Sequence, residues 1–228
     1  MKYYKYFLLV LAVIILDQSV KLLVHFNMHL YEEFNVLGDW FRIHYILNEG
    51  IAFGLKADWQ YSKLILSIFR LLASGAGVYL LYSYTKKDTH PGALWAGALI
   101  LAGAIGNLID SMFYGIIFNN VPYDAPFAFM YGQVIDMLYF PIFKFTWPEW
   151  IPYLGGTMFH FFSAIFNIAD SSIFIGVMIL LIWQKRFFPD KKSLKHKDIL
   201  PRAQLILEAE DELEPKVETA KENSIDSL

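Results

Sequence analysis

Cysteine is absent from the 228-residue chain, which excludes a disulfide-stapled scaffold. Charge is scarce as well: Asp, Glu, Lys and Arg make up 18% of the residues, against about 25% in an average globular chain. That shortage argues against a water-soluble enzyme. The net charge of −3 at pH 7 is too small to argue for a nucleic-acid partner. There is no internal repeat, direct or inverted, of the kind many transporters carry. Lys2 and Lys5 before an apolar run imitate a secretory signal, but no small-x-small cleavage site follows, so an uncleaved first span is expected. In place of charge the chain has apolar surface: 56% hydrophobic residues, including 20 Phe, 14 Tyr and 6 Trp. A disordered chain lacks such surface. What remains is a membrane protein.

A bilayer core about 30 Å thick needs about 20 mostly apolar residues to cross it. Four windows meet this, at about residues 6–26, 61–84, 92–110 and 161–183. The expected fold class is therefore an all-α membrane protein with four transmembrane helices, with room for a small β element in the outer loops. Residues 1–184 make the four-span domain and 185–228 a charged tail. Of the 19 Lys and Arg, thirteen fall on the side of both termini and the short 85–91 loop, four in the large loops and two (Lys21 and Arg70) within spans. The positive-inside rule then puts both termini in the cytoplasm and both large loops outside. The basic first part of the tail suits anionic lipid headgroups. The acidic part around residues 208–214 is a solvated tail with no function assigned to it.

Ionisable residues inside spans are costly, so each is a candidate for function. Counting about 1.5 Å per residue puts Asp17 about 16 Å and Lys21 about 22 Å above the inner surface, with Asn107 and Asp110 at the outer end of the third span. Arg70 and Asp170 fall roughly 13 Å below the outer surface by the same rise. All lie in the outer half, as a site open to the outer side requires. Each also has a purely structural reading. Asp17 and Lys21 are spaced to pair on one helix face, Asn107 and Asp110 to cap a helix end or join helices, and Arg70 to pair or snorkel. Asp170 reads as lying well inside an apolar helix with Asn167 one turn before it, and its burial implies either a raised pKa or a partner from another segment.

Four sets of residues break the apolar background: DQSVK at 17–21, NEGIAFG at 48–54, GNLID at 106–110 with GQVIDM at 132–137, and FNIADSSI at 166–173. In this order on four spans they resemble lipoprotein signal peptidase (signal peptidase II), the family of bacterial membrane aspartyl proteases. The resemblance covers about residues 10–183. It implies a catalytic pair, Asp136 and Asp170. Two carboxylates sharing a site cannot both ionise, so one proton stays between them. The ionised member then takes a proton from water while the other donates to the scissile carbonyl oxygen. The resemblance further implies that Asn167, Asn107 and Asp110 hold the pair and the substrate backbone by hydrogen bonds. It makes Asn48 and Gly50 a substrate-facing turn, and has Asp17 and Lys21 support the site from the side. The implied substrate is a diacylglyceryl-modified prolipoprotein cut before its lipidated cysteine. Membrane lipids are the other partners, with the chain working as a monomer and using no cofactor and no metal.

Two departures from the family pattern stand out. The family carries Arg directly after the Asp of GNxxD, where this chain has Ser111, so another cation, Arg70 or Lys21, has to serve Asp110. The spacing between Asp110 and Asp136 is also wide, as though an insert of about residues 116–131 split the motif between Gly115 and Gly132. A second aromatic enlargement occupies about 140–160. Trp and Tyr there suit interfacial anchoring, or a lid over the site. Asp124 and Glu149 in these loops read as solvated carboxylates. His25 and His29 have metal-ligand spacing but no matching Glu. A proton-coupled transporter using Asp17, Asp110 and Asp170, and a non-catalytic assembly factor, stand as alternative readings.

Overall fold

The first three apolar windows fold as long helices: α1 (Tyr4–Asn27), α2 (Ser62–Thr85) and α3 (Pro91–Ile109). The computed structural model describes residues 3–50, 60–161 and 164–189. Pro91 stands at the start of α3, where its missing N–H costs nothing, and the His90 imidazole accepts the Gly92 N–H as a cap. This helix does not stop near residue 110 as the third window predicts. It runs on through a five-residue π-helical turn (Asp110–Tyr114) into α4 (Gly115–Phe118), because no helix breaker occurs before Asn119, which takes the left-handed conformation at φ 57°.

The fourth window departs further from expectation. Ile165–Phe166 form a short strand and the helix α5 spans only Ile168–Ile182. A continuous apolar run does not itself distinguish strand from helix, and Asn167 decides the point by capping. Its side-chain oxygen accepts the Asp170 N–H at 2.9 Å, while the Asp170 carboxylate reaches back to the Asn167 N–H at 3.4 Å, a reciprocal capping box. Asp170 therefore sits in the first turn of α5, not deep within a helix. Among the described residues three helices, Tyr4–Asn27, Ser62–Thr85 and Pro91–Phe118, are long and apolar enough to cross a membrane; α5 is a shorter apolar helix of 15 residues.

The β element is larger than a loop ornament. Strands β1 (Glu33–Leu37), β2 (Phe41–Asn48), β3 (Val134–Tyr139) and β6 (Ile165–Phe166) form an antiparallel sheet in the order β1-β2-β3-β6. The 140–160 enlargement forms a separate hairpin, β4 (Phe143–Thr146) with β5 (Met158–Phe161). Ile135 and Met137 of β3 are fully buried and pack with Val24, Tyr45 and Tyr114, which fixes the sheet against α1 and the π turn. With a side-chain period of two, Asp136 then faces the other way.

Small residues let the helices approach. A Cβ on Gly103 would overlap the Ala169 carbonyl oxygen, and one on Gly176 would come within 2.7 Å of the Ala96 carbonyl oxygen, so α3 and α5 meet backbone to backbone. Gly132 is similarly confined: its N–H donates to the Ser111 carbonyl at 3.0 Å, and a Cβ there would overlap the Asp110 carbonyl oxygen and lie 2.9 Å from Gly115 N. The chain thus leaves at Gly115 and returns beside it at Gly132, with the 116–131 segment looping out between. The outward faces of the long helices carry Leu8, Leu11, Ile15, Leu16, Phe69 and Leu72, all exposed. The inward faces carry Asp17 and Lys21 on α1 and Lys63, Ser67 and Ser74 on α2, all buried. That is the reverse of a water-soluble bundle and suits a lipid surround. Residues 183–228 form a separate unit, of which residues 183–189 are described; it holds the single-turn helix α6 (Gln184–Phe187). Most of the predicted tail, and Ile51–Gly54 of the second motif, lie outside the described residues.

Candidate active site

The sheet delivers Asp136. Ile46 stands opposite Asp136 in the β2–β3 register, and Asn48, two residues on, shares its face. The Asn48 amide accordingly donates to Asp136 Oδ2 at 2.9 Å. The other oxygen accepts from the Asn167 amide at 2.6 Å. Asp136 is fully buried, and burial, reinforced by the charge of Asp170, pushes its carboxyl up to about 7.

Asp170 arrives from the opposite side, on the first turn of α5, where the positive end of the helix favours an anion. Asn107 of α3 donates to its Oδ1 at 2.7 Å. The oxygen of the same Asn107 amide accepts from Asn167 at 3.1 Å and from the Lys21 ammonium at 3.2 Å. Asn167 thus touches Asp136 and Asn107 through one NH2 group while capping the helix that carries Asp170. One side-chain amide joins the Asp136 carboxylate to the backbone of the turn that carries Asp170.

Beneath this layer lies an ion-paired one. Lys21, with no exposed surface, reaches Asp17 Oδ2 at 2.8 Å and Asp110 Oδ2 at 2.7 Å. Asp17 also accepts the Ala169 N–H at 2.8 Å, satisfying a further free amide of the α5 N-terminus. Asp17 and Lys21 pair on one helix face, and the pair also reaches α3 through Lys21 and the α5 N-terminus through Asp17. The cation that serves Asp110 is Lys21. Arg70 lies elsewhere, donating through Nη1 to the Ser111 hydroxyl at 2.7 Å. All nine candidate residues, Asp17, Lys21, Asn48, Gly50, Asn107, Asp110, Asp136, Asn167 and Asp170, belong to this one assembly. Asp124 and Glu149 take no part in the bonds that join them.

Sequence reasoning missed Gln18. Its amide donates to Asp110 Oδ1 at 2.9 Å, to Asp17 Oδ2 at 3.1 Å and to the Gly106 carbonyl at 3.2 Å, and its oxygen accepts the Tyr114 hydroxyl at 2.9 Å. The available signal was a second polar residue beside Asp17 in an apolar helix. Gly50 has a left-handed backbone at φ +86°, and its N–H donates to Asn48 Oδ1 at 2.7 Å. A Cβ there would stand 2.7 Å from Arg70 Nη2 and 2.8 Å from Leu66 Cδ2. Gly50→Ala is therefore expected to lower stability by about 1–3 kcal/mol, measured by thermal unfolding in detergent; an unchanged midpoint would mean the turn relaxes freely.

The chain matches the family model described as Signal peptidase (SPase) II over residues 9–186. This chain belongs to the signal peptidase II family. It is 38% identical over 184 residues to the lipoprotein signal peptidase of Amoebophilus asiaticus, covering 79% of this chain and 78% of that one. Identity to the lipoprotein signal peptidase of Porphyromonas gingivalis is 40% over 188 residues, covering 78% and 81%. Two solved structures of a bacterial membrane enzyme match at TM-scores of 0.55 and 0.53, each at 25% identity, covering 84% of this chain and 94% and 97% of theirs. The family expected from the motifs is the one found, and the chain is an aspartic endopeptidase. Membership in signal peptidase II sets aside the transporter and assembly-factor readings. It also places the chain among bacterial inner-membrane enzymes.

Proposed function

We propose that this signal peptidase II cuts diacylglyceryl-modified prolipoproteins just before the lipidated cysteine, releasing the signal peptide, with Asp136 and Asp170 as its catalytic pair. The observation that carries the proposal is the Asn167 side chain, which donates to Asp136 Oδ1 while capping the turn that holds Asp170. Asp136, the more buried of the two and the one pushed up to about 7, holds the shared proton and donates it to the scissile carbonyl oxygen. Asp170, facing the Asn107 amide and the helix N-terminus, takes a proton from the attacking water. No cofactor and no metal enters this scheme. Asn107, Asp110, Asp17, Lys21 and Asn167 hold the pair in place, and Asn48 with Gly50 forms the turn beside the substrate.

Residues 1–184 form the membrane protease, with α5 and the extended segment before it as the fourth crossing. Both termini face the cytoplasm and the catalytic pair faces outward, as the distribution of Lys and Arg supports. The enzyme works as a monomer among membrane lipids. Exposed Trp150, Tyr153 and Leu154 on the 140–160 hairpin support anchoring at the outer interface over a lid. The test is cleavage of a purified diacylglyceryl peptide by the full chain in detergent or lipid. Cleavage should run at least about 100-fold faster than on the same peptide without acyl chains, whose burial supplies binding energy. The rate should fall as pH rises through about 7, where Asp136 gives up its proton. Equal rates on both peptides would remove the lipid from the proposal, and a rate still climbing past that pH would reverse the proton assignment.

A further inference from the structure

Lys21 is one positive charge between two carboxylates, so the Asp17–Lys21–Asp110 group carries one net negative charge. An aspartate pair that shares one proton carries another. Buried charge of one sign is expensive, and neighbouring groups offset it or take up protons until it disappears. Two cations on α2, Lys63 and Arg70, face this region. The Lys63 ammonium donates to the Glu49 carbonyl at 2.9 Å, at the rim where Glu49 itself is half-buried. Arg70 is different. Among the described residues it forms no ion pair; Nη1 rests on the Ser111 hydroxyl at 2.7 Å, and that hydroxyl in turn donates to the Asn107 carbonyl at 2.9 Å. On its other side the guanidinium lies under the Gly50 turn. From there it acts electrostatically on Asp170, Asp110 and Asp136 without touching any of them.

The charged groups around it are Lys21 and Asp17 from α1, Glu49 after β2, Lys63 on its own helix, Asp110 on the π turn, Asp136 on β3 and Asp170 on α5. Held on the Ser111 hydroxyl beside the Asn107 that bonds Asp170, Arg70 does not lock either carboxylate into a salt bridge, which would take it out of reaction. Its charge still favours the state in which one of them is ionised. We propose that Arg70 is a positioning residue that supplies the counter-charge of the aspartate pair, so that the pair holds one proton and not two. This rests on the reading of Asp136 and Asp170 as the catalytic pair. A doubly protonated pair has no base to take the proton from water, so loss of the guanidinium is a loss of the working protonation state.

The sign follows directly. Removing a nearby cation makes a carboxylate harder to ionise, so the acid limb of the kcat/KM profile moves to higher pH. In the full-length enzyme acting on a diacylglyceryl peptide, Arg70→Gln is expected to move that limb up by about one pH unit, with much of the lost activity returning at the new optimum. Arg70→Lys should leave the limb where it was. Ser111→Ala, which frees the guanidinium without removing it, should shift the limb in the same direction by less, and it covers the case in which Arg70→Gln fails to accumulate. A loss equal at every pH in Arg70→Gln, or no shift in either Arg70→Gln or Ser111→Ala, overturns the proposal. Asp136→Asn and Asp170→Asn in the same assay separate the two ideas: activity in either removes the catalytic pair itself, whereas inactive Asp variants beside an unshifted Arg70→Gln profile remove only the counter-charge.

Discussion

Replacing Asp170 with asparagine is expected to reduce cleavage of a lipidated preprotein by about a thousandfold or more, while the protein still accumulates in the membrane. The substitution is close to isosteric. A suitably turned asparagine keeps the strong bond to the Asn107 amide at 2.7 Å and places its NH2 toward the Asn167 N–H, where the native contact is already long at 3.4 Å. Little stability is at stake, and the ionisable group is gone. Asp136→Asn should be equally inactive but less benign. Both oxygens of Asp136 accept from amide donors, and an asparagine can offer only one acceptor. Asn48 cannot simply turn its amide over, because its oxygen accepts the Gly50 N–H at 2.7 Å. An unmatched buried donor costs about 1–3 kcal/mol, so Asp136→Asn should unfold at lower temperature than Asp170→Asn. Accumulation by immunoblot, thermal unfolding and processing of a lipidated substrate check all three points. Full processing by either variant would refute the pair.

The second large effect is on the fold. Lys21→Met removes the cation shared by Asp17 and Asp110, both of which are essentially without exposed surface. Breaking a buried pair by deleting one partner costs about 3–5 kcal/mol, because the remaining charges stay buried. Here two carboxylates are left facing the same void, and Asp17 is also the acceptor for the α5 N-terminus. The expected outcome is a sharply lower unfolding temperature and no activity. Lys21→Met combined with Asp110→Asn should be more stable than Lys21→Met alone, since the second change removes one of the stranded charges. That non-additivity is the signature of direct coupling. If the double variant is as unstable as the sum of its parts, Lys21 acts by packing and not by charge.

How much of this was legible beforehand depended on what each residue announced locally. Asp17, Lys21, Asn107 and Asp110 stood out because charge and amide groups are rare in long apolar helices, and their spacings let them pair on one face or join helices. The family was legible from the order of the motifs. The start of α5 was not, because an apolar strand and an apolar helix read alike, and only the Asn167–Asp170 pairing marks the boundary. A sheet that carries Asp136 was equally hidden: its outer strand Glu33–Leu37 has no buried residue, so no clean alternation betrays it. Gln18 was overlooked because it stands next to more conspicuous charges. The position of Arg70 under the Gly50 turn is a tertiary fact that no local pattern records. In contrast, Gly115 and Gly132 could be picked out as the edges of the 116–131 segment, and the backbone contacts between them account for both.

The bond from the Asp17 carboxylate to the Ala169 N–H joins residues 152 positions apart. The bonds from Asn48 to Asp136 and from Asn107 to Asp170 add separations of 88 and 63. Synthesis runs from the N-terminus and segments fold as they emerge, so α1 to α3 and the β2–β3 pairing can form while α5 is still in the ribosome. The Lys21 layer is then in place, but Asn167 and Asp170 are not. On the proposed chemistry a nascent chain is inert until its last apolar helix docks, and no earlier fragment has partial activity. On that chemistry the protease cannot cut neighbouring chains while α1 to α3 insert; the docking of α5 is itself the activating event.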